Sequence, residues 1–205
     1  MVNRIDICNR ALTNIGCEPI ESEEAQGSET VLLAYDAVLD LLLSIYPWSF
    51  NRFLRQLSPK EVPPRAHWKY RFAVPSDRVG PLTAIYACKD DVARDMPIKL
   101  FEYRGDNDLL ADEPVLWVKY PGRPNPARWP GYFSHCVQLA IEAKIALSIR
   151  EDKGLHDRRQ QELHGTPSQG LHGGALGDAE GKDAQSTPSE SFEAEAGDLV
   201  NARFM

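Results

Sequence analysis

The sequence predicts an α+β protein: an antiparallel helical bundle, a small inserted antiparallel β region and an extended C-terminal tail. Three observations predict it. Ser28 to Phe50 (SETVLLAYDAVLDLLLSIYPWSF) repeats its apolar residues at the helical period. Residues 51–120 break into short aromatic and β-branched runs punctuated by Pro and Gly. Beyond Gly165 the chain is rich in Gly, Ser and acid, with little apolar area to bury. The boundaries that follow are 1–50 and 130–164 for the helical bundle and 51–120 for the inserted β region. Residues 121–129 form a Pro-rich connector, and 165–205 a flexible acidic tail that docks on a partner.

The elements follow in order. Asn3 caps a first helix through Ile15, with Ile5, Cys8, Leu12 and Ile15 on one face; Gly16 suits the position after it and Pro19 forbids continuation. The acidic loop Cys17 to Gly27 turns the chain back. Ser28 then N-caps the long helix, Glu29 lies where the helix dipole favours an acid, and Pro47 stops it. Glu29, Asp36, Asp40 and Ser44 make one narrow polar stripe. Such a helix needs neighbours on most sides. Leu33 and Leu43 flank that stripe, either as tolerated surface leucines or as a contact with another subunit.

Strands are expected at Phe53–Leu57, Lys69–Val74, Leu82–Cys88, Ile98–Tyr103, Asp108–Ala111 and Val115–Tyr120. Arg104-Gly105-Asp106-Asn107 is a hairpin turn, because Gly and Asn accept positive φ at low cost. PGRPNPARWP (Pro121 to Pro130) is a stiff connector. Gly131 to Arg150 forms the next helix, whose polar stripe is only His135, Gln138 and Glu142. Glu151 to His164 is a polar helical segment. In the tail, Leu199, Val200, Ala202 and Phe204 regain apolar character after a run of acids, as a small hook would.

At 205 residues the chain suits one domain, and its net charge of −7 argues against a sequence-independent nucleic-acid binder. Cys8, Cys17, Cys88 and Cys136 show no zinc-ligand spacing and read as reduced thiols. No uncharged apolar run reaches 18 residues and no signal peptide is expected, so the chain reads as soluble and made in the cytoplasm. Nucleophile elbows, zincin motifs, Walker loops and dinucleotide fingerprints are all missing from the sequence. His156, His164 and His172 are eight apart, so they do not share one helix face. His135 and Cys136 are adjacent, hence about 100° apart on a helix. Asp90-Asp91 and Asp112-Glu113 read as solubilising loop acids, and Trp48, Trp68, Trp117 and Trp129 as core packing between helices and β region. No enzyme, cofactor or metal is expected.

The order of segments carries a resemblance. ICNRALTNIG leads to a helix ending YPWSF; RQL, YRFAVPSD and FEYRGDNDLLADEPVLWVKY follow; WPGYFSHCVQLAIEAKIAL completes the series. Residues 3 to 150 thereby resemble the head–tail connectors, or adaptors, of tailed bacteriophages, the family that includes tail tubular protein A and related proteins of prophages and gene transfer agents. The resemblance implies a non-enzymatic virion protein of the neck, made in the host cytoplasm. It implies a ring, typically of twelve copies, beneath the portal protein. The ring would continue the DNA channel, without sequence-specific binding, and offer a landing surface to the next tail or neck protein. Within that frame the hook residues Leu199, Val200, Arg203 and Phe204 are candidates for the portal contact. Leu33, Leu43, Arg104, Asp106 and Asn107 are candidates for contact with a neighbouring subunit or the tail. Alternatives are a lower neck ring (stopper or terminator) binding the tail tube, an assembly factor absent from the particle, and a small hydrolase using Cys136 or His135.

Overall fold

The computed structural model describes residues 3–25, 27–60, 67–105, 107–166, 168 and 173–186, and the protein is a mixed helix and antiparallel-sheet fold. Helix α1 spans Arg4–Asn14. Asn3 caps it in a reciprocal box: its side chain accepts from the Asp6 amide at 2.8 Å while Asp6 accepts from the Asn3 amide at 3.0 Å. Gly16 follows at φ 73°, as a helix stop requires. Helix α2 spans Ser28–Ile45 and ends where Tyr46 turns extended ahead of Pro47. Ser28 is not its N-cap. Gly27, at φ 85°, takes that position, and the buried Ser28 hydroxyl turns back to the carbonyls of Glu23 and Ala25 at 2.6 and 2.7 Å.

Two three-stranded sheets follow. In the first, β1 (Arg52–Leu57) and β3 (Ala84–Tyr86) flank β6 (Leu116–Pro121). In the second, β2 (Tyr70–Ala73) and β4 (Glu102–Arg104) flank β5 (Asp108–Ala111). All pairs are antiparallel. Along β6, Leu116, Val118 and Tyr120 are buried and Trp117, Lys119 and Pro121 are half-buried, the alternation of a sheet with one covered face. Leu57, Ile85 and Val118 from the first sheet share one apolar cluster with Phe72 and Leu109 from the second.

The strand expected at Ile98–Tyr103 is divided between the sheets. The Ile98 amide donates to the Ile85 carbonyl at 2.8 Å, on the first sheet, whereas Glu102–Arg104 pair with β5 on the second. The hairpin turn lies where the sequence placed it: Arg104 faces Asp108 in register, and Gly105 has φ 65°. Asp90 and Asp91, expected in a loop, lie in the first turn of the short helix α3 (Lys89–Ala93), where acids suit the helix dipole.

Helix α4 spans Gly131–Ser148 and packs against α1, α2, the polar helix α5 (Lys153–His164) and a further helix α6 (Gly174–Ser186). At the junction with the β region, Trp48 is fully buried and donates to the Leu42 carbonyl at 2.7 Å, while Trp129 donates to the Pro124 carbonyl at 3.0 Å. Phe133 meets both rings edge-on, at 5.1 and 5.2 Å. Trp68 and Trp117, also expected in the core, lie half-buried on the β region instead; the Trp68 indole reaches Glu102 at 2.7 Å.

Helix α6 corrects the expectation of a flexible tail from residue 165. Its Leu176, Ala179 and Asp183 recur at steps of three and four and are all buried. Asp183, which falls within the expected acidic tail, accepts from the Ser49 amide, the Ser49 hydroxyl and the Tyr132 hydroxyl, each at 2.8 Å. Burial, and then Asp183 itself, push the Tyr132 phenol up to about 12. Gly174 starts the helix at φ 68°, where a Cβ would come within 2.6 Å of the Glu162 carbonyl. Replacing Asp183 by Ala is expected to lower stability by about 2–3 kcal/mol, since charge-assisted acceptors are lost at a buried site. Hydrogen exchange checks it: protection should fall across α6 and the residues after Trp48, and stay high in β5 and β6.

Candidate interaction surface

The apolar residues of α2 divide into two faces. Val31, Leu32, Tyr35, Val38, Leu39 and Leu42 enter the helical core. On the other side Leu33 (62% exposed), Ala37, Leu41 (56%) and Ile45 (45%) recur every four residues in solvent. At about 1.5 Å per residue this stripe is roughly 18 Å long. It runs into an apolar groove of about 180 Å³ lined by Leu43, Ile45, Tyr46, Pro47, Gly80 and Pro121.

Leu33 is thus on the surface, as expected, but Leu43 is not. It is 1% exposed and belongs to the helical core, and its carbonyl accepts from the buried Asn51 side chain at 3.3 Å. The cause is that Asp36 and Asp40 do not mark the solvent face. Arg4 of α1 reaches Asp36 at 2.5 Å and the Leu32 carbonyl at 3.2 Å. Arg123 of the connector reaches Asp40 at 2.5 and 2.8 Å and Asp36 at 3.3 Å. These contacts tie the acidic side of α2 to its own chain, while Leu41 and Ile45 face solvent. The repeat Leu33, Ala37, Leu41, Ile45 is visible in the sequence, but the cover that Arg4 and Arg123 give to the Asp36 and Asp40 side is not.

A second exposed apolar surface lies at β4, an edge strand of its sheet. Leu100 is 79% exposed, Phe101 and Tyr103 lie beside it, and their two rings meet edge-on at 5.7 Å. Arg104 and Asn107 of the hairpin are exposed, and the Asn107 carbonyl accepts from the Val74 amide at 3.0 Å. Asp106, and the hook residues Leu199, Val200, Arg203 and Phe204, lie outside the described residues. Asp108 holds the hairpin from within: it is 8% exposed, accepts from Lys60 at 2.6 Å and is paired with Arg71. The Arg71 and Lys60 donors hold its carboxyl well below the ordinary 3.8, at about 2.

His135 is exposed while Cys136 is buried, its Sγ donating to the Ala175 carbonyl at 3.3 Å. Burial pushes the Cys136 thiol up to about 12, so it is not primed as a nucleophile. His156 meets the Ala143 carbonyl through Nδ1 at 2.8 Å. Among the described residues no group of three or more His, Cys, Asp or Glu is placed to hold a metal ion, and no helix is long and apolar enough to cross a membrane. A polar cleft of about 540 Å³ is lined by Asp40, Asp77 and Arg123 among others. Its carboxylates are already engaged, Asp40 by Arg123 and Asp77 by a two-pronged contact from Arg55 at 2.8 and 3.0 Å.

Compared with known proteins, the chain matches no family model and no curated protein sequence.

The Asp108 anchor has a pH signature. Its folded value lies below the ordinary one, so its stabilisation is present above about pH 4 and is lost as pH falls towards about 2. In urea titrations Asp108→Asn should unfold earlier than the native chain near neutrality. The gap between the two midpoints should close between about pH 4 and pH 2.

Proposed function

We propose that this protein is a structural head–tail adaptor of a tailed phage or phage-like particle. Copies of it form a ring below the portal, continue the DNA channel and give the tail its attachment surface. The observation that carries this reading is the α2 stripe. A chain that buries Trp48, Phe133 and most of the apolar residues of α4 nevertheless leaves Leu33, Leu41 and Ile45 in solvent at regular spacing. Regular exposed apolar spacing on an otherwise well-packed chain is what a side-by-side partner covers. The ordered series of segments from ICNRALTNIG to the WP-led helix, similar to the connector family, supplies the identity of the assembly.

In this reading residues 1–50 and 130–164 are an antiparallel bundle forming the ring wall, and the β region projects from it. The net charge of −7 discourages DNA from adhering to the channel as it slides. The portal is met by the chain beyond Ser186, through Leu199, Val200, Arg203 and Phe204. Helix α6, packed on α4 and α5, fixes the point from which that chain departs.

Size measurement by light scattering, with and without purified portal from the same source, tests the reading. The expected result is a stoichiometric complex with about one chain per portal subunit, abolished by deleting residues 198–205 with the fold intact. Undiminished binding of the truncated chain would remove the hook from the contact. No complex with intact portal would exclude the adaptor role, and binding to tail-tube protein instead would identify a lower neck ring.

A further inference from the structure

The two exposed apolar surfaces differ in the charge around them. The α2 stripe sits in acidic sequence: residues 11–51 hold seven Asp and Glu and no Lys or Arg. Arg4 and Arg123 neutralise part of it from outside, at Glu23, Asp36 and Asp40. Glu18, Glu21, Glu24 and Glu29 remain exposed. The β4 surface has the opposite company. Exposed Lys99 and Arg104 bracket Leu100, Phe101 and Tyr103. Glu102 between them is held by the Trp68 indole at 2.7 Å. Residues 52–128 carry fourteen Lys and Arg against ten Asp and Glu, whereas the rest of the chain carries nine against twenty.

We propose that the α2 stripe of one copy receives the Leu100–Tyr103 surface of the next, with Lys99 and Arg104 against the acidic sequence around α2. The pairing of unlike faces follows from the charges. Two α2 stripes meeting face to face would bring two acidic stretches together, and two β4 edges would oppose their own Lys99 and Arg104. Pairing one of each removes both repulsions and covers both apolar surfaces. It also occupies β4, whose outer edge is otherwise a template for unspecific strand pairing. A contact between unlike faces leaves each copy with one free face of either kind, so it propagates until it closes. The proposal deepens the ring reading, on which it rests for closure, by naming the two faces each copy contributes.

Sedimentation of three purified full-length chains tests it: native, a stripe variant (Leu33→Glu with Leu41→Glu) and an edge variant (Leu100→Glu with Phe101→Glu). All four positions are exposed, and circular dichroism checks that each variant is folded. The native chain is expected to associate with concentration, roughly tenfold more weakly when salt rises from about 0.05 M to about 0.5 M. Each variant alone should sediment as a monomer. Their equimolar mixture should give a one-to-one heterodimer and nothing larger, because the intact edge of the first meets the intact stripe of the second. A mixture that stays monomeric, a variant that associates like the native chain, or a native chain monomeric up to about 1 mM would each overturn the pairing. Portal binding is scored separately on the same chains. If native protein and both variants bind portal while the mixture stays monomeric, the pairing fails and the adaptor reading stands. If the native chain ignores portal while the mixture dimerises, the adaptor reading fails and the pairing stands.

Discussion

A carboxylate in the middle of a buried helix governs the helical half of this protein. Glu142 is 1% exposed, near the centre of α4, with helices packed on several sides of it. An ionised carboxylate removed from water costs several kcal/mol unless other groups replace the solvent. Three helices provide those groups. Asn14 of α1 donates at 2.7 Å, Gln138 of α4 at 3.1 Å, and Arg159 of α5 pairs with the second oxygen at 2.8 Å. Apolar packing alone discriminates less sharply between alternative registers of one helix on another than a directional polar contact does. A buried acid answered from two neighbouring helices supplies such contacts, so Glu142 fixes the register of α1 and α5 on α4. With α4 so placed, Phe133 meets Trp48 and Trp129, Cys136 meets the start of α6, and Tyr132 meets Asp183.

Much of the local structure was legible because local chemistry determines it. The Asn3 cap, the stop at Pro47, the Gly105 turn and the alternation of β6 depend on residues close in sequence. What sequence missed in the packing of the helices depends on residues far apart. Glu142 looked like one member of a polar stripe, since nothing near it in the chain announces Asn14 or Arg159. Asp36 and Asp40 looked like the outer face of α2 for the same reason, their partners being 32 and 83 residues away. The error rotated the exposed face by about 80°, from the Leu43 side towards Leu41. Leu33 and Arg104 are exposed as the sequence suggested, whereas the exposure of Leu41 and Ile45 and the burial of Leu43 needed the fold.

Helix α6 shows a different limit. Its interior glycines at 177 and 181 each lower helix propensity by about 1 kcal/mol relative to Ala, and its acids suggest solvent. Propensity favours coil, and three tertiary contacts overrule it: Leu176 and Ala179 in the apolar cluster, and Asp183 across to Ser49 and Tyr132. A pattern of Leu, Ala and Asp at steps of three and four is a core face only if the third position finds donors. The sequence around α6 contains none of those donors, which lie 134 and 51 residues away.

The size of the exposed apolar surfaces constrains how they can act. Burying one aliphatic side chain fully contributes about 1.5–3 kcal/mol, so three that are about half exposed contribute on the order of 3 kcal/mol. Association costs at least about 4 kcal/mol in lost translational and rotational freedom. The α2 stripe by itself therefore cannot hold two free copies together. Opposite charges add attraction and orientation, at a strength that depends on salt. Closure changes the balance further, because the last copy entering a ring forms two contacts for one loss of freedom. A template that gathers copies at high local concentration acts in the same direction. Surfaces this small suit a chain that remains apart while dilute and assembles when its neighbours are already in place, and larger apolar faces would cause it to associate before then.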